Sequence, residues 1–311
     1  MSTQASDISW QVLRRIVHHW AGEAAELAEV HALDGGNIST TLELVTRAGD
    51  KAVLKIAPHR VNRDVLREAM QLQLLKELGL PVPRVYQWNV GNLDDPDSYL
   101  LMEFMPGVNM SAARRQCTPE QYDDLQRHLA ELTLALHANT AERYSRVCTE
   151  GAQQFDTWPV FYRHVYDAIW HDVEKSNVLP VKCRKQVSRI HERLERLISH
   201  DDCPRLVHWD IWATNVLAAP DPDGRWRVTA LLDPNCKYAH AEAEIAYMEF
   251  YHTITPAFLK AYQQTHRLSP GYHEVRKHIY QLYDLLNHVH LFGNEYLKPL
   301  TQTVEKTMAI V

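Results

Sequence analysis

The chain has 311 residues, of which 45% are hydrophobic and 23% charged, a balance typical of globular proteins that excludes general disorder. This length is sufficient for two lobes rather than one compact core. A net charge of −6 and a pI near 6.3 argue against a polyanion-binding surface, so no nucleic-acid partner is expected.

The sequence shows no signal for secretion or for a membrane. Its N-terminus lacks the basic and then apolar pattern of a signal peptide, and no apolar run reaches about 18 residues. The five cysteines form no CxxC pair, which is typical of free thiols in a reducing compartment. We therefore expect a soluble cytoplasmic protein without a membrane partner, either a monomer or a weak homodimer.

The first hundred residues predict a small mixed sheet with one principal helix. In chain order, the pattern predicts a helix at 7–20, strands at 27–33, 40–46 and 51–56, a helix at 64–78, and strands at 84–88 and 99–104. Gly35 and Gly36 form a tight turn between the first two strands, and Gly79 ends the second helix as its C-cap.

The remaining residues predict a mainly helical lobe. Thr118 is the N-cap of a helix that starts with Pro119 and repeats apolar residues at steps of three and four. Further helices are predicted at 155–174, 180–200, 242–251, 256–266 and 271–297, with short strands at 206–207, 215–217 and 228–232. The predicted domains are an N-lobe of residues 1–104 and a C-lobe of residues 105–311.

The most informative pattern is a loop enclosed by apolar stretches at residues 206–217. It presents Asp210 and Asn215 five residues apart, and Asp233 follows a second apolar strand eighteen residues later. Phosphoryl transfer needs a carboxylate that accepts the proton of the attacking hydroxyl, together with oxygen ligands for Mg²⁺. The spacing predicts Asp210 as the catalytic base and Asn215 and Asp233 as Mg²⁺ ligands, with His208 orienting the loop through hydrogen bonds.

The N-lobe adds residues that are typical of nucleotide binding. Lys55 ends an apolar strand, and Glu68 lies near the middle of the following helix. In kinases such a lysine holds the α- and β-phosphates of ATP while the glutamate fixes the lysine. Gly35 and Gly36 are predicted to cover the phosphates with backbone N–H groups, although this turn matches no established nucleotide-binding motif.

A break in the chain after the strand at 99–104 predicts the adenine site. The strand runs into Met105-Pro106-Gly107, and the backbone groups of Glu103 and Met105 are predicted to bind the base. The alternative is an ordinary core strand that leads into a turn.

Each of these features has a plain structural alternative. Asp and Asn are common in turns, and Lys55 or Glu68 alone would be a solvated surface residue. Only their order along the chain favours phosphoryl transfer. The eighteen histidines lack the spacing of zinc sites, so no zinc site is predicted. Glu242 and Glu244 could bind a cationic substrate, or Glu244 could bond backbone and support the catalytic loop.

Together these residues resemble the aminoglycoside phosphotransferase and choline kinase superfamily, whose pattern is HxDxxxxN followed by an Asp after a strand. The C-terminal half is most similar to the fructosamine (ketosamine) kinases. Their HGDLWxGN pattern resembles residues 208–215, their DPA…YGxxExD(L/I)A run resembles residues 233–246, and their PGY…YQLYxLLNHxxxFG signature resembles residues 270–293.

This resemblance implies an α+β, protein-kinase-like bilobal fold with a small β-rich N-lobe and a larger, mainly helical C-lobe. It implies ATP and Mg²⁺ as cofactors and transfer of the γ-phosphate to a hydroxyl of a small amino sugar. It also implies a place for Trp212 at the substrate site, where an indole can stack on a sugar or attract an amine.

The sequence departs from the family pattern beside the proposed base. Trp209 replaces a glycine, Ala213-Thr214 replaces a small-Gly pair, and Glu244 stands where Asp is common. Trp209 adds bulk near the acceptor site or behind the loop and is the second predicted substrate residue. The predicted acceptor is a fructosamine, another ketosamine or another amino sugar. The alternatives are a kinase that modifies antibiotics or sugar-mimic drugs and a nucleotide-binding pseudokinase that acts as a scaffold.

Overall fold

A computed structural model describes residues 9–33, 40–57, 62–91 and 98–310, and the chain in it divides into two compact units. The first unit consists of Met1–Gln116 with Thr214–Pro234, and the second of Cys117–Ala213 with Asn235–Val311. The predicted N-lobe falls within the first unit, which also takes in residues 105–116 and 214–234.

The described elements follow the chain in this order: α1 (Trp10–Ala21), β1 (Leu27–Ala32), β2 (Thr40–Thr46), β3 (Lys51–Ala57), α2 (Asn62–Glu77), β4 (Val85–Val90), β5 (Ser98–Glu103), β6 (Val108–Asn109), α3 (Met110–Gln116), α4 (Pro119–His137), β7 (Ser145–Arg146), α5 (Trp158–Ser176), α6 (Val181–Glu192), α7 (Leu194–Ile198), β8 (Arg205–Val207), β9 (Val216–Pro220), β10 (Trp226–Leu231), β11 (Lys237–Ala239), α8 (Ala241–Phe250), α9 (Pro256–Tyr262), a π-helical turn (Tyr272–Arg276), α10 (Lys277–Phe292), a 3₁₀ turn (Gly293–Tyr296) and α11 (Leu297–Met308). The predicted α+β class is confirmed.

The first unit is built on an antiparallel sheet. Its strands lie in the order β1-β2-β3-β5-β4, and each falls within two residues of the sequence prediction. Helix α1 packs Leu13, Ile16 and Val17 into a core that includes Leu44 and Leu54 of the sheet. A second sheet, in the order β10-β9-β6, completes this unit, and the short helix α3 that follows β6 was not predicted.

The second unit is mainly helical. Helix α10 packs against α5, α8 and α11, while α4 packs against α9. The predicted start of α4 is confirmed, because Thr118 and Gln121 form a reciprocal capping box in front of it. Strands β7, β11 and β8 form a small sheet in this unit.

Two segments of the second unit that were predicted as single helices are interrupted in the structure, so these predictions are wrong. The helix predicted at 180–200 is split at Arg193 into α6 and α7. The helix predicted at 271–297 starts with a π-helical turn and ends at Gly293, whose φ of 74° lies in the left-handed region that favours glycine. A further helix, α11, follows that break and was not predicted.

Two further findings concern the thiols and the helices of the described chain. All five cysteines are free thiols. Among the helices described, none is both long enough and apolar enough to cross a bilayer.

Candidate active site

Lys55 lies in the middle of the main sheet of the first unit, on β3 between β2 and β5. Its ammonium contacts Glu68 Oε1 of α2 at 2.7 Å and Asp233 Oδ1 at 2.9 Å. Burial opposes the positive charge, but the two carboxylates outweigh it and raise the pKa of Lys55 above its ordinary value. Lys55 is therefore a permanently charged group held in a fixed position.

The β9–β10 hairpin brings Asn215 and Asp233 to one end of its two strands. Val216 pairs with Leu231 at that end, and the Leu232 N–H donates to the Asn215 carbonyl at 2.8 Å. Asp233 follows at once with a φ of 57°, which turns the chain out of the strand direction. The hairpin thus supplies one amide oxygen and one carboxylate from neighbouring backbone positions.

The segment after β5 is fixed to the same hairpin. Gly107 has a φ of 128°, and a Cβ there would lie 2.7 Å from the Ala218 carbonyl oxygen, so this position requires glycine. Thr229 Oγ1 donates to the Pro106 carbonyl at 2.7 Å. Glu103 ends β5 next to this segment, and its N–H donates to Arg84 at 2.8 Å.

Not every residue proposed for nucleotide binding can be placed. Met105 is half-buried in the extended linker after β5. Gly35 and Gly36 lie outside the described residues. The structure therefore brings together Lys55, Glu68 and Asp233, but it does not place the glycine turn.

The second unit holds Asp210 in a loop after β8. Tyr247 of α8 donates its hydroxyl to Asp210 Oδ1 at 2.5 Å. Burial raises the pKa of Tyr247, and the charge of Asp210 raises it further, so the tyrosine remains a neutral donor. The His208 carbonyl accepts from the Asn235 N–H at 3.0 Å, which fixes the start of the loop.

Glu244 of α8 binds the backbone of the same loop. Its carboxylate accepts from the Trp209 N–H at 2.6 Å and contacts His137 Nε2 at 2.8 Å. The prediction that Glu244 bonds backbone is confirmed. Glu242 is buried and paired with Arg276 at 2.7 Å, so its carboxylate is occupied within the fold.

Trp209 adopts a backbone conformation that explains the usual glycine at this position. Its φ of 68° is left-handed, which costs a residue with a side chain about 1–2 kcal/mol. Two contacts hold the indole: Lys237 Nζ lies 4.2 Å from the centroid of one of its rings, and Tyr283 makes an edge contact at 6.2 Å. Trp212 makes a similar edge contact with Tyr251 at 6.2 Å.

Sequence reasoning missed two polar residues in this region, Tyr247 and Asp284. Both line a small cavity in the second unit that also contains Trp209 and Tyr283. Asp284 could have been noticed as the one acidic residue in the largely apolar helix α10. The spacing of Tyr247 after Glu244 places both on one face of α8, but this pattern alone indicates only a packed helix.

The model of the fructosamine kinase family matches residues 9–310. The chain belongs to this family. A probable ketoamine kinase of Escherichia coli K12 is 26% identical to this chain over 307 residues, which cover 96% of this chain and 99% of the relative. The family membership makes the chain a small-molecule kinase, a phosphotransferase with an alcohol acceptor.

Solved structures show the same protein-kinase-like fold. A structure from Haemophilus somnus 129PT, assigned as a fructosamine-3-kinase, has a TM-score of 0.76 at 19% identity and covers 96% of this chain and 97% of its own. The aminoglycoside phosphotransferase APH(4)-Ia, in a complex with AMP-PNP and hygromycin B, has a TM-score of 0.70 at 17% identity, covering 96% and 98%. Membership of a kinase family supports the use of ATP.

Proposed function

We propose that this fructosamine kinase transfers the γ-phosphate of ATP to a hydroxyl of a ketosamine, a sugar that carries an amino group. The observation that carries the proposal is Lys55 held between Glu68 and Asp233, the arrangement with which kinases hold nucleotide phosphates. Residues 1–104 are the proposed nucleotide-covering lobe, and residues 105–311 carry the catalytic loop and the acceptor site.

The nucleotide side of the proposal uses residues of the first unit. Lys55 binds the phosphates, and the backbone at Glu103 and Met105 binds adenine, with Gly35 and Gly36 over the phosphates. The amide oxygen of Asn215 and the carboxylate of Asp233 are hard oxygen donors, which is the chemistry that Mg²⁺ prefers. When bound, Mg²⁺ offsets the charge of the phosphate oxygens.

The acceptor side uses residues of the second unit. Asp210 accepts the proton of the attacking hydroxyl. Tyr247 donates to Oδ1 of this carboxylate, which helps to fix its orientation for that role. Trp209 and Trp212 supply aromatic faces on which a sugar ring stacks.

Two further parts of the proposal concern the setting of the reaction. The five free thiols favour a reducing compartment, and we place the protein in the cytoplasm. We propose a monomer or a weak homodimer.

The test is an ADP-release screen with ketosamines, neutral sugars, aminoglycosides and sugar-mimic drugs as acceptors. Release is expected with ketosamines, and Asp210→Asn should lower kcat by at least about 10²-fold because the base is lost. Asp123→Asn, the same chemical change at an exposed position of α4, should leave the rate unchanged. Release that depends on aminoglycosides alone would make this an antibiotic-modifying kinase instead, and an undiminished rate in Asp210→Asn would refute the proposed base.

A further inference from the structure

The small cavity of the second unit is lined by a carboxylate for which the described part of the chain supplies no hydrogen-bond donor. Asp284 of α10 is 7% exposed and lines the cavity together with Trp209, Tyr247 and Tyr283. Its backbone carbonyl accepts a hydrogen bond from His288, but among the described residues no group bonds its carboxylate. Buried polar groups are nearly always paired in folded proteins, so an unpaired carboxylate that faces a cavity points to a ligand.

The charges around Asp284 make the cavity attractive to a cation. Asp210 on the catalytic loop repels the ionised carboxylate, and Lys237 of β11 is the cation that acts on it. Lys237 is already engaged, since its ammonium lies over the Trp209 ring and donates to the Asn235 carbonyl at 3.0 Å. Glu244, which also lines the cavity, is bonded to His137 and to the Trp209 N–H.

Aromatic rings form most of the remaining wall. Tyr162, Tyr280 and Tyr283 contribute to it beside Trp209, and burial raises the pKa of each of these three tyrosines above its ordinary value. They are therefore neutral rings whose faces attract cations without adding charge. Of the two carboxylates in the lining, Glu244 is already bonded, so Asp284 among these aromatic rings is the one that suits an organic ammonium group.

We infer that this cavity is the subsite for the protonated amino group of the acceptor, with Asp284 as its counter-charge and Trp209 and Tyr283 beside it. The inference rests on the proposed function, because it names how that site recognises a ketosamine. Tyr247 lines the cavity and also donates to Asp210, so one side chain links the subsite to the proposed base. An acceptor with an amino group close to its reactive hydroxyl fits this arrangement.

The protonation of Asp284 supplies a second readout. Burial raises the pKa of Asp284 well above its ordinary value, and Asp210 raises it further, so the protonated form of the carboxyl is favoured while the cavity lacks a cation. A bound ammonium group stabilises the ionised form instead. Binding of a cationic acceptor should therefore release a proton, whereas binding of a neutral sugar should not.

The experiment compares 1-amino-1-deoxyfructose with 1-deoxyfructose, which lacks only the amino group, as acceptors for wild type and Asp284→Asn. We expect the variant to lose about 10- to 100-fold in kcat/KM for the amino sugar, because a hydrogen-bonded charge contact is removed. The value for 1-deoxyfructose should change by less than about 2-fold. Asp123→Asn is the matched control at an exposed position.

The possible results separate the inference from the proposed function. Equal losses for both sugars, or an unchanged preference for the amino sugar, would overturn the subsite. A wild-type protein that phosphorylates no ketosamine overturns the proposed function, and titration calorimetry in two buffers then decides the subsite. That titration should show proton release on binding 1-amino-1-deoxyfructose to wild type and none in the variant; the same release in both, or no binding, rejects the inference. If thermal unfolding shows that Asp284→Asn does not fold, the smaller Asp284→Ser takes its place.

Discussion

The two units of this chain differ in how their buried charged groups are paired. In the first unit, Lys55 has two carboxylates within 2.9 Å, so its positive charge is compensated before any ligand arrives and one carboxylate charge is left over. In the second unit, Asp284 faces a cavity, and the charge on Asp210 disfavours its ionised form. The difference indicates that the first group is preorganised around its own ion pairs, while the second group is completed by a cationic ligand.

The largest expected effect comes from removing the cation of the first group. Lys55→Met should lower kcat/KM for ATP by about 10²- to 10³-fold, because a charged donor aimed at the phosphates is lost. It should also lower the midpoint of thermal unfolding, since Glu68 and Asp233 lose their shared cation. Steady-state kinetics and thermal unfolding measure the two effects.

Lys51→Met is the matched control for this change. Lys51 lies on the same strand and pairs with Glu43 at 2.8 Å, but its side chain is 48% exposed. Its loss should leave kcat/KM for ATP nearly unchanged, because Lys51 pairs with Glu43 and not with Glu68 or Asp233. Some loss of thermal stability is expected, since Glu43 is buried. If the two variants had the same kcat/KM for ATP, the ion pairs of Lys55 would have no special role in nucleotide binding.

A smaller effect is expected where a neutral donor supports the base. Tyr247→Phe should lower kcat/KM by about 10-fold, because the hydroxyl bonded to Asp210 is lost. The acidic limb of the pH–rate profile should move to higher pH, since the ionised base loses a hydrogen bond that stabilised it. Tyr238→Phe on β11 provides the control, and a Tyr247→Phe profile that keeps its shape would reduce Tyr247 to a packing residue.

The ion-paired group of the first unit was largely predictable from the sequence. Lys55 and Glu68 lie within elements of clear period, and Asp233 follows one, so their order along the chain was enough to suggest that they meet. The role of Asp210 was predictable in the same way, because the residue lies in a loop with a recognisable sequence pattern. The glycine turn at Gly35 and Gly36 stays a prediction.

The cavity of the second unit was not predictable in this way. Tyr247 and Asp284 approach Asp210 from helices 37 and 74 residues further along the chain, and each fits a buried helix face on sequence grounds alone. Their significance depends on the packing of α8 against α10, which sequence periodicity does not specify. The sequence shows that Trp209 departs from the glycine of the family pattern. Its left-handed backbone is seen only in the structure.

A last effect concerns the dependence of stability on pH in the second unit. Burial, with His200 beside it, lowers the pKa of His240 to about 2, below its ordinary 6.5. Above pH 6.5 the imidazole is neutral in both states, whereas below it the unfolded chain binds a proton that the fold excludes. The free energy of unfolding should therefore fall by about 1.4 kcal/mol per pH unit from this group as pH decreases from 6.5 towards 2.

Urea denaturation between pH 7 and pH 5 measures this dependence, with His240→Gln as the comparison. The variant should show a shallower decline, because it lacks the group that only the unfolded chain protonates. Parallel declines in the two proteins would mean that His240 is accessible to protons in the folded state.

The central claim is phosphoryl transfer to a ketosamine with Asp210 as the base, and ³¹P NMR of the reaction products tests it most directly. With ATP, Mg²⁺ and 1-amino-1-deoxyfructose, the wild-type protein should produce a new phosphate monoester signal. Asp210→Asn should form it at least about 10²-fold more slowly. Inorganic phosphate without the ester, or equal rates of ester formation in the two proteins, would contradict the claim.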